Sequence, residues 1–102
     1  MIKVYGSHMC RESRALQQSF DENGIKYQFL DINENLRNLG RFLRYRDTLE
    51  IFDNCRKIGD IGVPFMIDDE GVKTLDWKGW MKDHGYVTDC EEECCCILNE
   101  EE

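Results

Sequence analysis

The residues best placed for chemistry are gathered in Gly6-Ser7-His8-Met9-Cys10-Arg11-Glu12-Ser13. A short apolar run, Ile2 to Tyr5, precedes this stretch, and a segment with helical spacing follows it. Cys10 therefore falls where a first strand turns into a first helix. At that position a sulfur lies close to unpaired backbone N–H groups and to the positive end of the helix dipole, and both favour the thiolate. Arg11 and His8 act in the same direction, whereas Glu12 opposes them. Three residues on, where a second cysteine would complete Cys-x-x-Cys, stands Ser13. Two readings of Ser13 stand side by side: it donates a hydrogen bond to the Cys10 thiolate, or it is what remains after a resolving cysteine was lost. On either reading no disulfide can close within the motif, and the chemistry left to it is monothiol exchange.

The other cysteines divide into two groups. Cys55 lies beside Arg56 and Lys57 near the end of a helical region, where packing is the expected role. Cys90, Cys94, Cys95 and Cys96 crowd into a C-terminal stretch rich in glutamate. Four thiolates are enough for zinc or copper(I), although adjacent ligands suit a tetrahedral structural site poorly. The same cysteines could instead supply a flexible resolving thiol for Cys10, or do neither. Six cysteines distributed in this way do not make the framework of a stapled secreted domain.

A chain of 102 residues, 41% hydrophobic and 33% charged, has room for one modest core. Its net charge of −8 argues against binding nucleic acid or an anionic membrane surface. No apolar run approaches the roughly 20 residues of a membrane span. The N-terminus lacks the apolar core of a secretory signal, so a cytoplasmic location is expected. No phosphate-binding glycine loop and no serine-nucleophile elbow occurs.

Several elements must hold Cys10 in place. Ile2–Tyr5 reads as a strand, Glu12 to about Asn23 as a helix stopped by Asn23-Gly24, and Ile25–Leu30 as a second strand. Strand, helix and strand in this compass form a βαβ unit with a right-handed crossover. Asn33 is expected to cap the next helix, with Leu36, Leu39 and Leu43 on one face and Phe42, Tyr45, Leu49 and Phe52 on a second. Asp47-Thr48-Leu49-Glu50 suggests a break and a fresh cap before a short helix ending near Lys57. Val63–Ile67 and Val72–Leu75 form a hairpin around Asp68–Gly71, and Asp76 caps a last helix carrying Trp77, Trp80 and Met81. The expected division is a folded domain over 1–87 and an acidic, Cys-rich, flexible tail over 88–102.

A strand ending in Val-Tyr, Cys10-x-x-Ser13 at the head of the first helix, and Gly62-Val63-Pro64 opening a later hairpin strand resemble the thioredoxin superfamily. Glutaredoxins and small bacterial glutaredoxin-related proteins are the most similar members. The resemblance implies an α/β thioredoxin fold, β-α-β-α-β-β-α, with a mixed four-stranded sheet flanked by helices. It implies a cis Val63–Pro64 bond beside the active-site sulfur, with the Val63 backbone offered to a bound thiol or disulfide substrate, small molecule or protein. Arg11 and Asp76 join Val63 and Pro64 as substrate-binding candidates, and glutathione is the implied cosubstrate. Cys10-Arg11-Glu12-Ser13 departs from the family's Cys-Pro-Tyr-Cys, Ser7 replaces its glutathione-binding lysine, and Lys73-Thr74 replaces its Gly-Gly pair.

Three functions follow. The first is a monothiol thiol–disulfide oxidoreductase with Cys10 as nucleophile and Ser13 as its partner. The second is a binding module for an iron–sulfur cluster or for zinc. The third is a thioredoxin-fold interaction domain that has lost catalysis.

Overall fold

The computed structural model describes residues 1–86. The expected tail lies outside the described residues, as do its candidate metal ligands Cys90, Cys94, Cys95 and Cys96. In chain order the elements are β1 (Ile2–Gly6), α1 (Arg11–Glu22), β2 (Tyr27–Asp31) and α2 (Leu36–Thr48). A 3₁₀ turn (Glu50–Phe52), α3 (Asp53–Ile58), β3 (Phe65–Ile67), β4 (Lys73–Thr74) and α4 (Trp77–Asp83) follow. The strands form one mixed sheet in the order β2-β1-β3-β4. β1 pairs parallel with β2, Ile2 opposite Tyr27 and Gly6 opposite Asp31. It pairs antiparallel with β3, Val4 opposite Met66, and β3 pairs antiparallel with β4. The outcome is an α/β fold whose sheet is flanked by helices.

Strand alternation assigns the two faces. Side chains two apart on a strand share a face, so Ile2 and Val4 meet α1 and α4 in a core with Leu16, Phe20, Ile25, Met66, Trp77 and Met81. Tyr5 and Phe65 turn the other way and pack with Ile32, Phe42, Phe52, Cys55 and Val63. Cys10 belongs to this second cluster. β1 lies between two partners and supplies both cores.

The second helical region corrects three expectations. Asn35, not Asn33, caps α2, its side chain accepting from the Asn38 backbone N–H at 2.8 Å. Leu36 is 82% exposed and Leu43 is 38% exposed, so of the leucine face only Leu39 packs against the second core. The buried stripe is Asn38 and Phe42, with Tyr45 half-buried beside them. Asn38 can sit inside because its amide donates to the Asp31 carbonyl at 3.0 Å. The break does fall after Thr48, but Leu49 stands at the cap position of the 3₁₀ turn and no side chain caps it. Elsewhere the local chemistry behaves as read. Asp76 accepts from the Gly79 N–H at 3.0 Å and caps α4. The Asp68–Gly71 turn is held by the Asp68 carboxylate, which accepts from Glu70 and Val72. The Val63–Pro64 peptide bond is cis.

No helix among the described residues is long and apolar enough to cross a membrane.

Candidate functional site

β1 ends at Gly6, and the chain turns back through Ser7–Cys10, where the Cys10 N–H donates to the Ser7 carbonyl at 3.0 Å. The Ser7 hydroxyl accepts from Met9 N–H at 3.1 Å and is bonded to the Asn33 side chain. This turn delivers Cys10 to the N-cap of α1, with φ −101° and ψ 125°. Its side chain makes no capping hydrogen bond there. The sulfur stands at the positive end of a 12-residue helix. Across the cluster it lies 3.9 Å from the Val63 carbonyl oxygen. Cys10, Val63 and Pro64 are all buried. Two of the candidates selected from the sequence, Cys10 and Val63, 53 positions apart, thus share one place in space. Cys10 is disulfide-bonded, and Cys55 is a free, buried thiol.

Ser13 is fully buried, and the hydrogen bond described for it is an accepted one, from the Ser7 backbone N–H at 3.2 Å. A Cβ placed on Gly6 would lie 2.8 Å from the Ser13 oxygen and 3.0 Å from the Phe29 ring. Ser13 therefore fastens the first turn of α1 to the end of β1, a positioning task that neither sequence reading gave it. Arg11 is exposed at the head of the helix. Asp76, also exposed, is occupied through Oδ1 by its capping bond.

Two neighbours of the site, Asp31 and Arg14, were not singled out by sequence, and a third, Glu12, was read only as opposing the thiolate. Asp31, at the end of β2, bonds His8 Nδ1 at 2.8 Å and the Asn33 N–H at 2.8 Å. Glu12 turns toward α4, accepting from the Trp77 indole N–H at 3.2 Å, with Lys78 Nζ at 3.7 Å from the same oxygen. Arg14 donates to the His8 carbonyl at 2.6 Å and holds the turn from outside. Only the parallel register that puts Gly6 beside Asp31 could have pointed to the first of these.

Cys55 occupies the same core cluster as Cys10 but faces the 59–62 loop, where its Sγ is 3.9 Å from Asp60 Oδ2. Burial pushes its thiol pKa up, and the charge of Asp60 adds to the shift. Burial also raises the Asp60 carboxyl, against hydrogen bonds from the Gly62 and Ile61 amides that act to lower it. A thiol held protonated is a poor nucleophile. Among the described residues no group of three or more His, Cys, Asp or Glu side chains is arranged to hold a metal.

No protein-family model matches the chain. An uncharacterized protein of Haemophilus influenzae is 29% identical to it over 73 residues, covering 72% of this chain and 85% of that one.

Proposed function

We propose that the protein is a glutaredoxin-like thiol–disulfide oxidoreductase of thioredoxin fold, acting in the cytoplasm through Cys10. The observation that carries this reading is the position of the Cys10 sulfur, at the N-cap of α1 and 3.9 Å from the Val63 carbonyl. Amide dipoles at a helix head stabilise a thiolate, and a carbonyl-lined backbone edge beside the sulfur offers an extended substrate a hydrogen-bonding partner.

In the reduced enzyme the Cys10 thiolate attacks one sulfur of a disulfide R–S–S–R′. A Cys10–S–R bond forms, the S–S bond breaks, and R′S⁻ leaves and takes up a proton. The capped cysteine is then released by a second thiolate attacking Cys10–S–R. Ser13 maintains the geometry by tying α1 to β1, and Val63 and Pro64 form the wall facing the substrate. Arg11 is the exposed cation nearest in sequence to the sulfur, suited to the carboxylate of a glutathione moiety. Ser7 supplies no such charge, being buried and bonded to Asn33.

The test is glutathione-dependent reduction of bis(2-hydroxyethyl) disulfide. Wild-type protein should turn it over, and Cys10→Ser should reduce the rate to background. Absence of turnover by the wild type would overturn the reading.

A further inference from the structure

The chain between α3 and β3 runs through Asp60-Ile61-Gly62 directly into Val63, whose carbonyl stands 3.9 Å from the Cys10 sulfur. Whatever fixes this stretch fixes that carbonyl. A side chain from α2 meets it: Arg46 donates through Nε to the Ile61 carbonyl at 2.9 Å and through Nη2 to the Asp60 carbonyl at 2.8 Å. Its Nη1 lies 3.8 Å from Asp47, on the solvent side. A guanidinium suits this task because its N–H groups form a rigid planar fork, able to serve two successive carbonyls at once.

Arg46 is itself held. Its backbone carbonyl accepts from Arg56 Nη1, and the same nitrogen of Arg56 donates to the Leu49 carbonyl at 3.3 Å. The stretch it grips has little slack. The Asp60 N–H donates to the Cys55 carbonyl at 2.9 Å. Gly62 is buried at φ +95°, and a Cβ there would lie 2.8 Å from the Phe52 ring. Movement that begins at the Asp60 and Ile61 carbonyls is therefore passed on to Val63.

We infer that Arg46 is the positioning residue of Val63, and that through it the site favours peptide disulfides over disulfides that carry no amide. This rests on the reading of Cys10 as the nucleophile and of Val63 as the wall facing the substrate.

The selectivity follows from what each half of the site supplies. The thiolate is made by the head of α1, which Arg46 does not hold, so attack on a simple disulfide needs nothing from it. Once Cys10 is a thiolate its sulfur donates nothing, and the Val63 carbonyl can accept an N–H from a peptide beside the scissile disulfide. Such a bond weakens steeply when the acceptor is misplaced or misdirected. The exchange itself is the one already written: a bond forms between Cys10 and one substrate sulfur, the substrate S–S bond breaks, and the departing thiolate takes up a proton.

The experiment measures the rate at which reduced full-length protein is captured at Cys10, located by peptide mass after acid quenching. Two uncharged probes are compared, so that loss of the arginine charge does not enter. The disulfide of N-acetylcysteine methylamide carries peptide amides, and bis(2-hydroxyethyl) disulfide carries none. Arg46→Ala should slow capture by the first at least about tenfold and leave capture by the second within about twofold of wild type. Arg46→Lys keeps the charge but not the fork and should lose part of the selectivity, which carries the test if the alanine variant does not fold. Arg44→Ala, exposed on the same helix, should match wild type with both probes. Equal slowing of both probes would assign Arg46 a general structural role and overturn the inference, as would no slowing of either. Either result leaves the oxidoreductase reading standing, whereas a wild-type Cys10 that captures neither probe would overturn both.

Discussion

Ser13 and Gly6 show how closely single atoms set the position of the sulfur. The Ser7 amide is buried with the Ser13 oxygen as its acceptor at 3.2 Å. Ser13→Ala should leave that amide unpaired and cost about 1–3 kcal/mol, read as a lower urea midpoint with an unchanged m-value. Gly6→Ala would press a methyl against the Ser13 oxygen and the Phe29 ring and should cost about 1–3 kcal/mol. Because the two changes share one contact, the double variant should be less destabilised than the sum of the singles, and strict additivity would contradict the arrangement. Cys55 makes a separate point. Its thiol pKa is raised in the fold above the ordinary 9.0, so the folded state holds the proton more tightly than the unfolded chain. The associated stability is complete below pH 9 and is lost as pH rises through the folded value. Urea titrations of wild type and Cys55→Ala above pH 9 should therefore converge, and native Cys55 should resist alkylation at pH 8.

At the scale of elements, two carboxylates in the last third of the chain decide how α4 sits. Asp76→Ala removes the α4 cap and should cost about 1 kcal/mol of stability in denaturant melts. Asp68 joins the hairpin turn to α4, accepting from Glu70 and Val72 N–H and from the Trp80 indole at 3.0 Å. Burial alone would raise its pKa, but these hydrogen bonds outweigh it and hold the carboxyl below the ordinary 3.8. The folded state therefore binds that proton more weakly than the unfolded chain. Its contribution is present above about pH 4 and is lost as pH falls through the depressed folded value. Acid titration of stability should show a component in that range that is absent from Asp68→Asn. A parallel acid limb in both proteins would contradict the assignment.

For the molecule as a whole, the division of the sheet into two unlike faces sets how the site is held. One face carries α1 and α4, the other α2 and α3, and Cys10 is anchored by α1 while its sulfur packs with the second face. Phe65, directly after Pro64, contacts Tyr5, Phe42, Tyr45 and Phe52 at ring separations of 5.0–6.4 Å. Phe65→Ala should cost about 3–5 kcal/mol in thermal or chemical melts.

The sequence by itself determined what local chemistry can determine. Cys10 had to stand where a strand becomes a helix, because an apolar run, a turn and a 3.6-residue pattern meet there. Asp76 had to cap, because a carboxylate before an apolar helical pattern satisfies free amides. The Asp68–Gly71 turn followed from its residues in the same way. Tertiary structure decided whatever depends on groups distant in sequence. It chose Asn38 and Phe42 over Leu36 and Leu43 for the inward side of α2, because the Asp31 carbonyl was there to satisfy the Asn38 amide. Asn33 was taken from capping to the Ser7 turn. Glu12 was turned from Cys10's flank toward Trp77 and Lys78, and Ser13 toward Ser7. Most consequentially, antiparallel pairing of β3 with β1 carried Val63 to within 3.9 Å of the Cys10 sulfur. No local pattern encodes that distance, because it is set by strand register across the middle of the sheet.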